Sequence, residues 1–512
     1  MSSSLIRGRY VLCRVENRGA VEIIDDGAIY QRDGRIVEVG KFADLTARHE
    51  VDEVIGSSDT VVLPGFVNGH HHVGVTPFQL GVPDLALELW WGPRLGVRDV
   101  DPYLDTLYSA IEMVASGVTT VQHIHGRVAG PLGRIERAAE EVLRAYRDIG
   151  MRVSYSFLIR DQNRLVYDDD EAFCGRLPVD IGPEVFELLR TSAIPLGDNF
   201  ALFDTLTSSH KDHDRVRVQL APANLHWCSD TALESVADFS ERRGALMHIH
   251  LVETAYQKAY ALKRTGTTAA RHLQRLGLMG PRLTIGHGTW MTAADHDICA
   301  ETGTLICTNC ASNFRVRGGL APLNEWERRG LKVAIGIDEA GLNDDRDMLQ
   351  EMRLVLRAHR TPGMNDNVPT AAQVLRMATE HGAATTAFGT EIGTLAPGKS
   401  ADLIVMDWRH IAFPYLDPDT PVVDAILQRG KTRGVKTVIV GGEVILRDGV
   451  FTRIDKDAVL AELAAKLSKP LTRDEARRRE LARGVRQFIK LFYDGYLQHE
   501  TQDPFYCTNS RT

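Results

Sequence analysis

The sequence feature that most constrains the fold is a regular alternation of short β-type runs with amphipathic helical stretches between about residues 60 and 340. Parallel strands need crossover segments of this kind, and eight such units close most simply into a barrel. We therefore predict an α/β fold built on a (β/α)8 TIM barrel, with its chemistry at the carboxyl ends of the strands. The predicted strands are TVVLPGFVN, VTTVQHI, MRVSYSFLI, RVRVQLA, ALMHIHL, RLTIGH, TLICT and VAIGID.

The segments on either side of this region are of another kind, with short strands and tight turns. Hairpin signals occur at Asp26-Gly27, Asp33-Gly34, Gly441-Gly442 and Asp448-Gly449. Two distant segments of one style predict a small composite β-sandwich domain. The end of the chain has helical spacing and an Arg-rich face, which is either solvated or a subunit contact. The predicted units are 1–60 and 389–454 for the β-domain, 61–388 for the barrel and 455–512 for a helical C-terminal extension.

Charge and cysteine content exclude several functional classes. Lys and Arg number 60 against 68 Asp and Glu, a net charge of −8, so no overall positive field favours nucleic acid. The sequence has no apolar stretch of the length of a signal peptide or membrane span, and we expect no membrane partner. Seven cysteines in so long a chain do not form a compact disulfide framework. These features predict a globular protein of the cytoplasm.

Metal-type side chains follow four of the eight predicted strands. His70 and His72 come at the end of the first strand and project to the same side of an extended chain. His250, His287 and Asp338 follow the fifth, sixth and eighth strands. An isolated H-x-H pair is a structural accident about as often as a metal site, but metal-type side chains at the ends of four barrel strands are hard to attribute to chance. Because these ends meet at one rim of a barrel, we expect the five side chains to converge.

Other polar residues near these positions have plainer interpretations. Glu253 lies three residues after His250 and could reach anything that this histidine holds, although a hydrogen-bonded pair is the simpler reading in isolation. His248 shares the face of His250 but lies deeper. His71 points away from its two neighbours, so we expect it to pack in the core.

The motifs at these positions resemble those of the amidohydrolase superfamily of metal-dependent hydrolases. PGFVNGHHH is similar to its N-x-H-x-H signature, HIHLVET to its H-x-x-E, and the GH and GID segments to its sixth- and eighth-strand motifs. CASN and IGTLAPGKSADLIVMD are similar to two further segments of the family. The resemblance covers about residues 5–450 and is nearest to the cytosine-deaminase and chlorohydrolase-like branch.

The resemblance implies one divalent metal ion. Its ligands would be His70, His72, His250 and Asp338. Binuclear relatives carry a bridging lysine at the fourth strand, and RVRVQLAPANLHW has none, which favours a single ion. Imidazole and carboxylate donors suit zinc best, with iron or manganese as alternatives.

The resemblance also implies a reaction. The ion would supply hydroxide from water near neutral pH, with Asp338 accepting its proton and His287 polarising the reacting bond or orienting the hydroxide. Glu253 would protonate a ring nitrogen and pass a proton to the departing amine. We predict deamination of an amino-substituted nitrogen heterocycle such as a purine, pyrimidine, pterin or triazine. Hydrolysis of a cyclic or linear amide at the same site, or a catalytically silent scaffold, remain alternatives, and the family implies a homo-oligomer.

Substrate contacts are where the chain departs from the family pattern. Ala223 stands where the branch usually has a histidine, so His226, three residues further on, either compensates or is a loop residue. The second strand ends in QHIHG, where relatives commonly have an aspartate. A tryptophan pair after the first strand could stack on a planar ring or simply pack. The candidate substrate contacts are Trp90, Trp91, His123, His125 and His226.

Overall fold

The computed structural model describes residues 3–16, 19–126, 128–361, 363–364, 366 and 368–497. Its N-terminal part is a strand meander with one short helix. The elements are β1 (Ser3–Val15), β2 (Val21–Arg32), β3 (Arg35–Lys41), α1 (Phe42–Arg48) and β4 (Glu53–Pro64). β1 pairs antiparallel with β2 and parallel with β4, and β2 pairs antiparallel with β3.

The central region contains nine strands that pair in parallel. They are β5 (Phe66–His71), β6 (Val118–His125), β7 (Arg152–Ile159), β8 (Val216–Val218), β9 (Ala221–Pro222), β10 (Met247–Leu251), β11 (Leu283–His287), β12 (Leu305–Thr308) and β13 (Val333–Ile335). β5 to β8 form one run, with β9 also on β7, and β10 to β13 form a second. Isolated parallel bridges join the runs at both edges, at His71–Asp338 and at Leu220–Met247 and Asn224–His250. The arrangement is TIM-barrel-like, as predicted.

Helices cover the outside of this strand ring. The helix over Leu132–Ile149 shows why, because its buried residues recur on one face while Arg and Glu occupy the other. The helices are α2 (Leu87–Arg94), α3 (Pro102–Ala115), α4 (Leu132–Ile149), α5 (Asp170–Cys174), α6 (Gly182–Thr191), α7 (Leu196–Ser209), α8 (Asp230–Arg243), α9 (Ala255–Thr265), α10 (Ala269–Arg275), α11 (Ala293–Thr302), α12 (Cys310–Arg315), α13 (Leu323–Arg328), α14 (Met348–Ala358), α15 (Ala371–Met377) and α16 (Glu380–Ala384).

The chain then returns to the N-terminal strands. The elements after the ring are β14 (Leu403–Asp407), α17 (Trp408–Ala412), α18 (Val422–Arg429), β15 (Val435–Val440), β16 (Glu443–Arg447) and β17 (Val450–Phe451). β14 pairs antiparallel with β4, so both ends of the chain contribute to one eight-stranded sheet. The composite β unit therefore exists, and its division into two sandwich layers remains a prediction. A buried ion pair between Arg152 of β7 and Asp402 joins this sheet to the ring, at 2.6 Å.

Three sequence expectations differ from the structure in detail. The run predicted as the first barrel strand is divided at Gly65, with β4 in the terminal sheet and β5 in the ring. An added Cβ at Gly65 would lie 2.3 Å from Thr119 side-chain atoms, so the crossing needs glycine. The fourth run is two short strands, β8 and β9. The hairpin expected at Asp26-Gly27 is wrong, since both residues lie inside β2, whereas the other three turn signals fall between strands.

Two helices end the described chain, α19 (Lys456–Leu467) and α20 (Arg473–Tyr493). One face of α20 packs against α2, where an added Cβ on Gly92 would lie 2.8 Å from Ile489 Cδ1. The Arg-rich face makes intramolecular ion pairs, such as Arg477 with Glu184 and Arg478 with Asp99. The predicted extension to residue 512 continues outside the described residues. Among the described helices, none combines the length and apolar character needed to cross a bilayer.

Candidate metal centre and substrate cleft

The four predicted metal ligands meet at or just beyond the carboxyl ends of β5, β10 and β13. The Nε2 atoms of His70 and His72 are 3.0 Å apart, as are those of His72 and His250. Asp338 Oδ1 lies 3.7 Å from His70 Nε2 and 3.4 Å from His72 Nε2. Ligands of a tetrahedral zinc ion, bonded at 2.0–2.1 Å, are separated by roughly 3.3 Å. The contacts of His72 with His70, His250 and Asp338 thus have the spacing that one coordination sphere needs. Two overlapping groups of candidate ligands result, His70 with His72 and His250, and His70 with His287 and Asp338.

Hydrogen bonds on the far side of the rings fix where the imidazole lone pairs point. His72 Nδ1 is 2.8 Å from Ile124 O, and His250 Nδ1 is 2.8 Å from Ala223 O. A carbonyl only accepts, so each Nδ1 carries the ring proton and each Nε2 is a bare lone pair. Burial, with neighbouring imidazoles adding to it, lowers the pKa of both His70 and His250 well below the ordinary value. Facing lone pairs on neutral rings repel unless a cation lies between them, so these donors fit a divalent metal.

A second set of contacts holds Asp338 in place. Its backbone N–H donates to His70 O at 2.8 Å, and His71 Nδ1 donates to its carbonyl at 3.1 Å. The Ser312 hydroxyl donates to Asp338 Oδ2 at 2.6 Å. His71 is fully buried, as predicted, and its other ring nitrogen meets the Ser109 hydroxyl. These bonds leave Oδ1 of the aspartate directed at the histidines.

The backbone around the site is strained at three positions. Val252, His287 and Asp338 have φ values of 42°, 67° and 60°, in the left-handed region that residues with a Cβ rarely adopt. For the β-branched Val252 this is a marked outlier. Such strain persists where the surrounding structure imposes it, as it does at binding and catalytic sites.

His287 and Glu253 lie beside the four ligands. His287 Nε2 is 3.8 Å from Asp338 Oδ2, and His287 Nδ1 is 2.9 Å from Asn313 Oδ1. The Glu253 carboxylate approaches the same ring, with Oε1 3.7 Å from Nδ1. The Asn309 amide lies 3.2 Å from His287 Nε2. The ring is therefore held on both edges and placed between the two carboxyl groups.

Glu253 is suited to hold a proton. The Glu253 side chain is 7% exposed, and no lysine or arginine forms an ion pair with it among the described residues. Burial raises the pKa of Glu253 well above its ordinary value, and the negative charges of Asp338 and Glu88 raise it further. A protonated carboxyl at this place is a proton donor, as its predicted catalytic role requires.

The predicted tryptophan pair lies in the wall of a cleft that opens over the metal ligands. Trp91 meets Trp227 edge to face, with ring centroids 4.7 Å apart, and the Arg94 guanidinium lies 4.2 Å from the Trp90 ring centroid. The cleft contains about 680 Å³ of space, counting its open mouth, which suits a small organic molecule. Its inner end is lined by His72, His250, Glu253, His287 and Asp338.

The other three candidate substrate contacts are placed differently. His123 and His125 are buried and line a neighbouring chamber instead of this cleft. His226 lines neither cavity, because its ring packs between Tyr167 and Trp227, with centroids 4.3 and 4.4 Å away. Any effect of His226 on substrate would therefore pass through Trp227. Ala223 supports the metal site only through the carbonyl that binds His250.

Several residues of the site were not singled out in the sequence. Ser312, Asn309 and Asn313 could have been found, because they lie in or beside the CASN segment after the seventh strand. Trp227, Arg94 and Arg160 also line the cleft, but they come from loops and a short helix whose position no periodic pattern reveals.

The chain is similar to known metal-dependent hydrolases in sequence and in structure. The sequence profile of the amidohydrolase family matches residues 61–445. The 5'-deoxyadenosine deaminase of Methanosarcina mazei is 26% identical over 467 residues, covering 90% of this chain and 97% of its own. The 5-methylthioadenosine/S-adenosylhomocysteine deaminase of Thermodesulfovibrio yellowstonii is 24% identical, covering 89% and 96%. A crystal structure of an adenosine deaminase from Xanthomonas campestris with bound zinc superposes with a TM-score of 0.77 at 24% identity, covering 91% and 97%.

Proposed function

Because the chain belongs to the amidohydrolase family, we propose that it is a metal-dependent aminohydrolase that removes an amino group from a nitrogen heterocycle. The observation that carries the proposal is the convergence of bare imidazole nitrogens and the Asp338 carboxylate at the inner end of an aromatic cleft. A bound divalent cation supplies Lewis acidity that makes water nucleophilic near neutral pH.

The side chains around this centre each have a different role in proton transfer. Asp338, held at Oδ2 by Ser312, accepts a proton from the attacking water. The Asn313 side chain holds the His287 ring in place, and His287 Nε2 lies 3.8 Å from Asp338 Oδ2. From this position His287 orients the reacting groups. Glu253 holds a proton on the cleft side, gives it to a ring nitrogen of the substrate and so makes the C–N carbon more electrophilic. The resulting Glu253 carboxylate takes the remaining proton of the added hydroxyl and relays it to the departing amine, which leaves as ammonia. The proton held by Asp338 is then returned to Glu253, so both carboxyl groups regain their starting states.

We propose an adenosine-type purine as the substrate class. The relatives named above act on adenosine derivatives according to their names, and they align along nearly their whole length. The cleft supports this choice, since Trp90, Trp91 and Trp227 offer apolar ring faces near the proton-donating Glu253. The planar ring would lie between these walls with its amino carbon toward the metal ligands.

We also propose the identity of the metal, the closure of the barrel and the assembly of the protein. Zinc is the proposed metal, as a single ion, because three imidazoles and one carboxylate make a borderline-soft, four-donor set. The strand ring is proposed to close as a (β/α)8 barrel of residues 61–388, beside a β-sandwich of residues 1–60 and 389–454. Assembly as a homo-oligomer in the cytoplasm, with a helical extension from residue 455, completes the proposal.

We expect the purified protein with zinc to release ammonia from 5'-deoxyadenosine or a related adenosine derivative. Deamination converts the 6-amino group to an oxo group, which shifts the purine absorbance and can be followed together with ammonia. Adenosine derivatives that carry two methyl groups on the 6-amino nitrogen are the matched control. These compounds cannot release ammonia, so they show whether the ammonia signal comes from the 6-amino group. Appearance of a carboxylate from cyclic amides, without ammonia from any aminated heterocycle, would identify the site as an amide hydrolase and contradict the proposal.

A further inference from the structure

A second cavity, here called the side chamber, adjoins the substrate cleft and plays no part in the mechanism above. It shares His72, Val73 and Gly126 with the cleft, and so lies on the other side of a metal ligand. The side chamber contains about 980 Å³ of space, counting its mouth. Its wall includes the ends of β6 and the inner face of α4.

Two buried histidines line this chamber, and each has a ring nitrogen that makes no hydrogen bond in the described part of the chain. His123 is 2% exposed, and its Nε2 has no hydrogen-bond partner in the described part of the chain. His125 is 8% exposed and bonds through Nδ1 only, to the Tyr155 hydroxyl at 2.7 Å. A buried polar nitrogen without a partner costs free energy unless a ligand or water satisfies it.

The hydrogen-bond partner of Nδ1 in each ring determines whether the other ring nitrogen, Nε2, is a hydrogen-bond donor or an acceptor. His123 Nδ1 is 2.8 Å from the Tyr146 hydroxyl, and His125 Nδ1 is 2.7 Å from the Tyr155 hydroxyl. Burial lowers the pKa of His125 to about 4 and that of His123 well below its ordinary value, so both rings are neutral near pH 7. In such a pair the phenol is the more acidic partner and donates to the imidazole, which leaves the ring proton on Nε2. Each histidine therefore offers an N–H to the chamber.

An arginine adds positive charge at the rim. Arg134, near the start of α4, lines the chamber, and its guanidinium makes no hydrogen bond or ion pair with any residue described here. The acidic residues in the same wall are engaged elsewhere. Asp99 pairs with Arg478 at 3.1 Å, and Asp105 accepts the backbone N–H groups of Gly74 and Val75.

We propose that the side chamber is a binding site for a small anionic group, a carboxylate or a phosphate, held by His123, His125 and Arg134. These three groups line one chamber, and a group that only accepts hydrogen bonds would satisfy their donors. The anion reaches the chamber either as an arm of the substrate, through the junction at Gly126, or as a free ion. The first source rests on the proposed deaminase function, and the second does not.

Binding of inorganic phosphate and of acetate, measured by calorimetry on the zinc-loaded protein, tests the site without any reaction. We expect Arg134→Met and His125→Phe each to weaken this binding at least about tenfold. Arg137→Met, which removes an exposed arginine from the same helix outside the chamber wall, is the matched control and should bind as the unaltered protein does. Absence of binding to the unaltered protein, or equal losses in Arg134→Met and Arg137→Met, would overturn the proposal for a free ion.

Kinetics with two adenosine derivatives, one bearing a carboxylate and one uncharged, test the substrate arm. If the arm occupies the chamber, Arg134→Met lowers the ratio of kcat/KM for the charged over the uncharged compound at least about tenfold, while Arg137→Met leaves the ratio unaltered. A fall of this ratio in Arg160→Met but not in Arg134→Met would place the carboxylate in the cleft instead. The proposal is overturned when neither anion binding nor this ratio depends on Arg134. If the protein deaminates none of these compounds, the calorimetric test of anion binding is unaffected. The deaminase hypothesis and the anion-site hypothesis can therefore fail independently.

Discussion

Replacing Asp338 by Asn or His70 by Ala is expected to abolish activity, with kcat/KM falling by about 10³-fold or more, because a metal centre supplies several kcal/mol of transition-state stabilisation. In the proposed mechanism Asp338 has two roles, as a metal ligand 3.4 Å from His72 Nε2 and as the base that accepts a proton. Its amide replacement keeps the bond from Ser312 but removes the charge. Steady-state deamination assays with metal in the buffer measure the effect.

The control is His296→Gln, which removes a buried imidazole of α11 that has no side-chain partner in the described residues. This variant should keep its rate within a few-fold, because His296 contacts Trp326 and not the metal ligands. Circular dichroism should show that all three variants are folded. Activity near that of the unaltered protein in both Asp338→Asn and His70→Ala would contradict the assignment of these residues.

Replacing Glu253 by Gln is expected to lower kcat by about 10²–10⁴-fold while the metal stays bound. The amide has nearly the shape of the acid but cannot give a proton to a ring nitrogen. Because Glu253 lies 3.7 Å from His287 and is not one of the four ligands, metal content should remain near one equivalent per chain. Rapid-mixing experiments at saturating substrate separate the chemical step from release of product.

Glu327→Gln is the matched control, since this partly buried carboxyl also has a pKa raised by burial but accepts from Gln373 far from the cleft. It should leave kcat within a few-fold. A Glu253→Gln protein that keeps full kcat would show that the substrate needs no proton from this residue. A variant that loses its metal would instead make Glu253 part of the metal site.

The sequence was sufficient to predict that the candidate metal ligands lie close together, because their geometry follows from local rules. Period-two alternation placed His70 and His72 on one side of a strand, and the common rim of parallel strands brought His250 and Asp338 to them. The composite sheet could be predicted for a similar reason, since turn signals such as Gly441-Gly442 act within a few residues.

Features that depend on contacts between distant segments could not be predicted in the same way. The division of one apolar run at Gly65 depends on Thr119, 54 positions away in the chain. Asp26 stays inside a strand because β2 pairs with β1 on both sides of it, at Asp25 and at Gly27. The placement of His123 and His125 in a separate chamber depends on the loop that carries Val73. Loop conformations of this kind are fixed by tertiary packing, which single-sequence patterns do not encode.

The metal content of the protein, measured by mass spectrometry alongside ammonia release, tests whether these side chains hold a catalytic ion. We expect about one equivalent of divalent metal per chain, loss of activity in step with its removal by a chelator, and recovery when zinc is restored. The His70→Ala/His72→Ala double variant should retain less than about a tenth of that metal. Full deaminase activity in protein stripped of divalent metal would contradict the proposed mechanism.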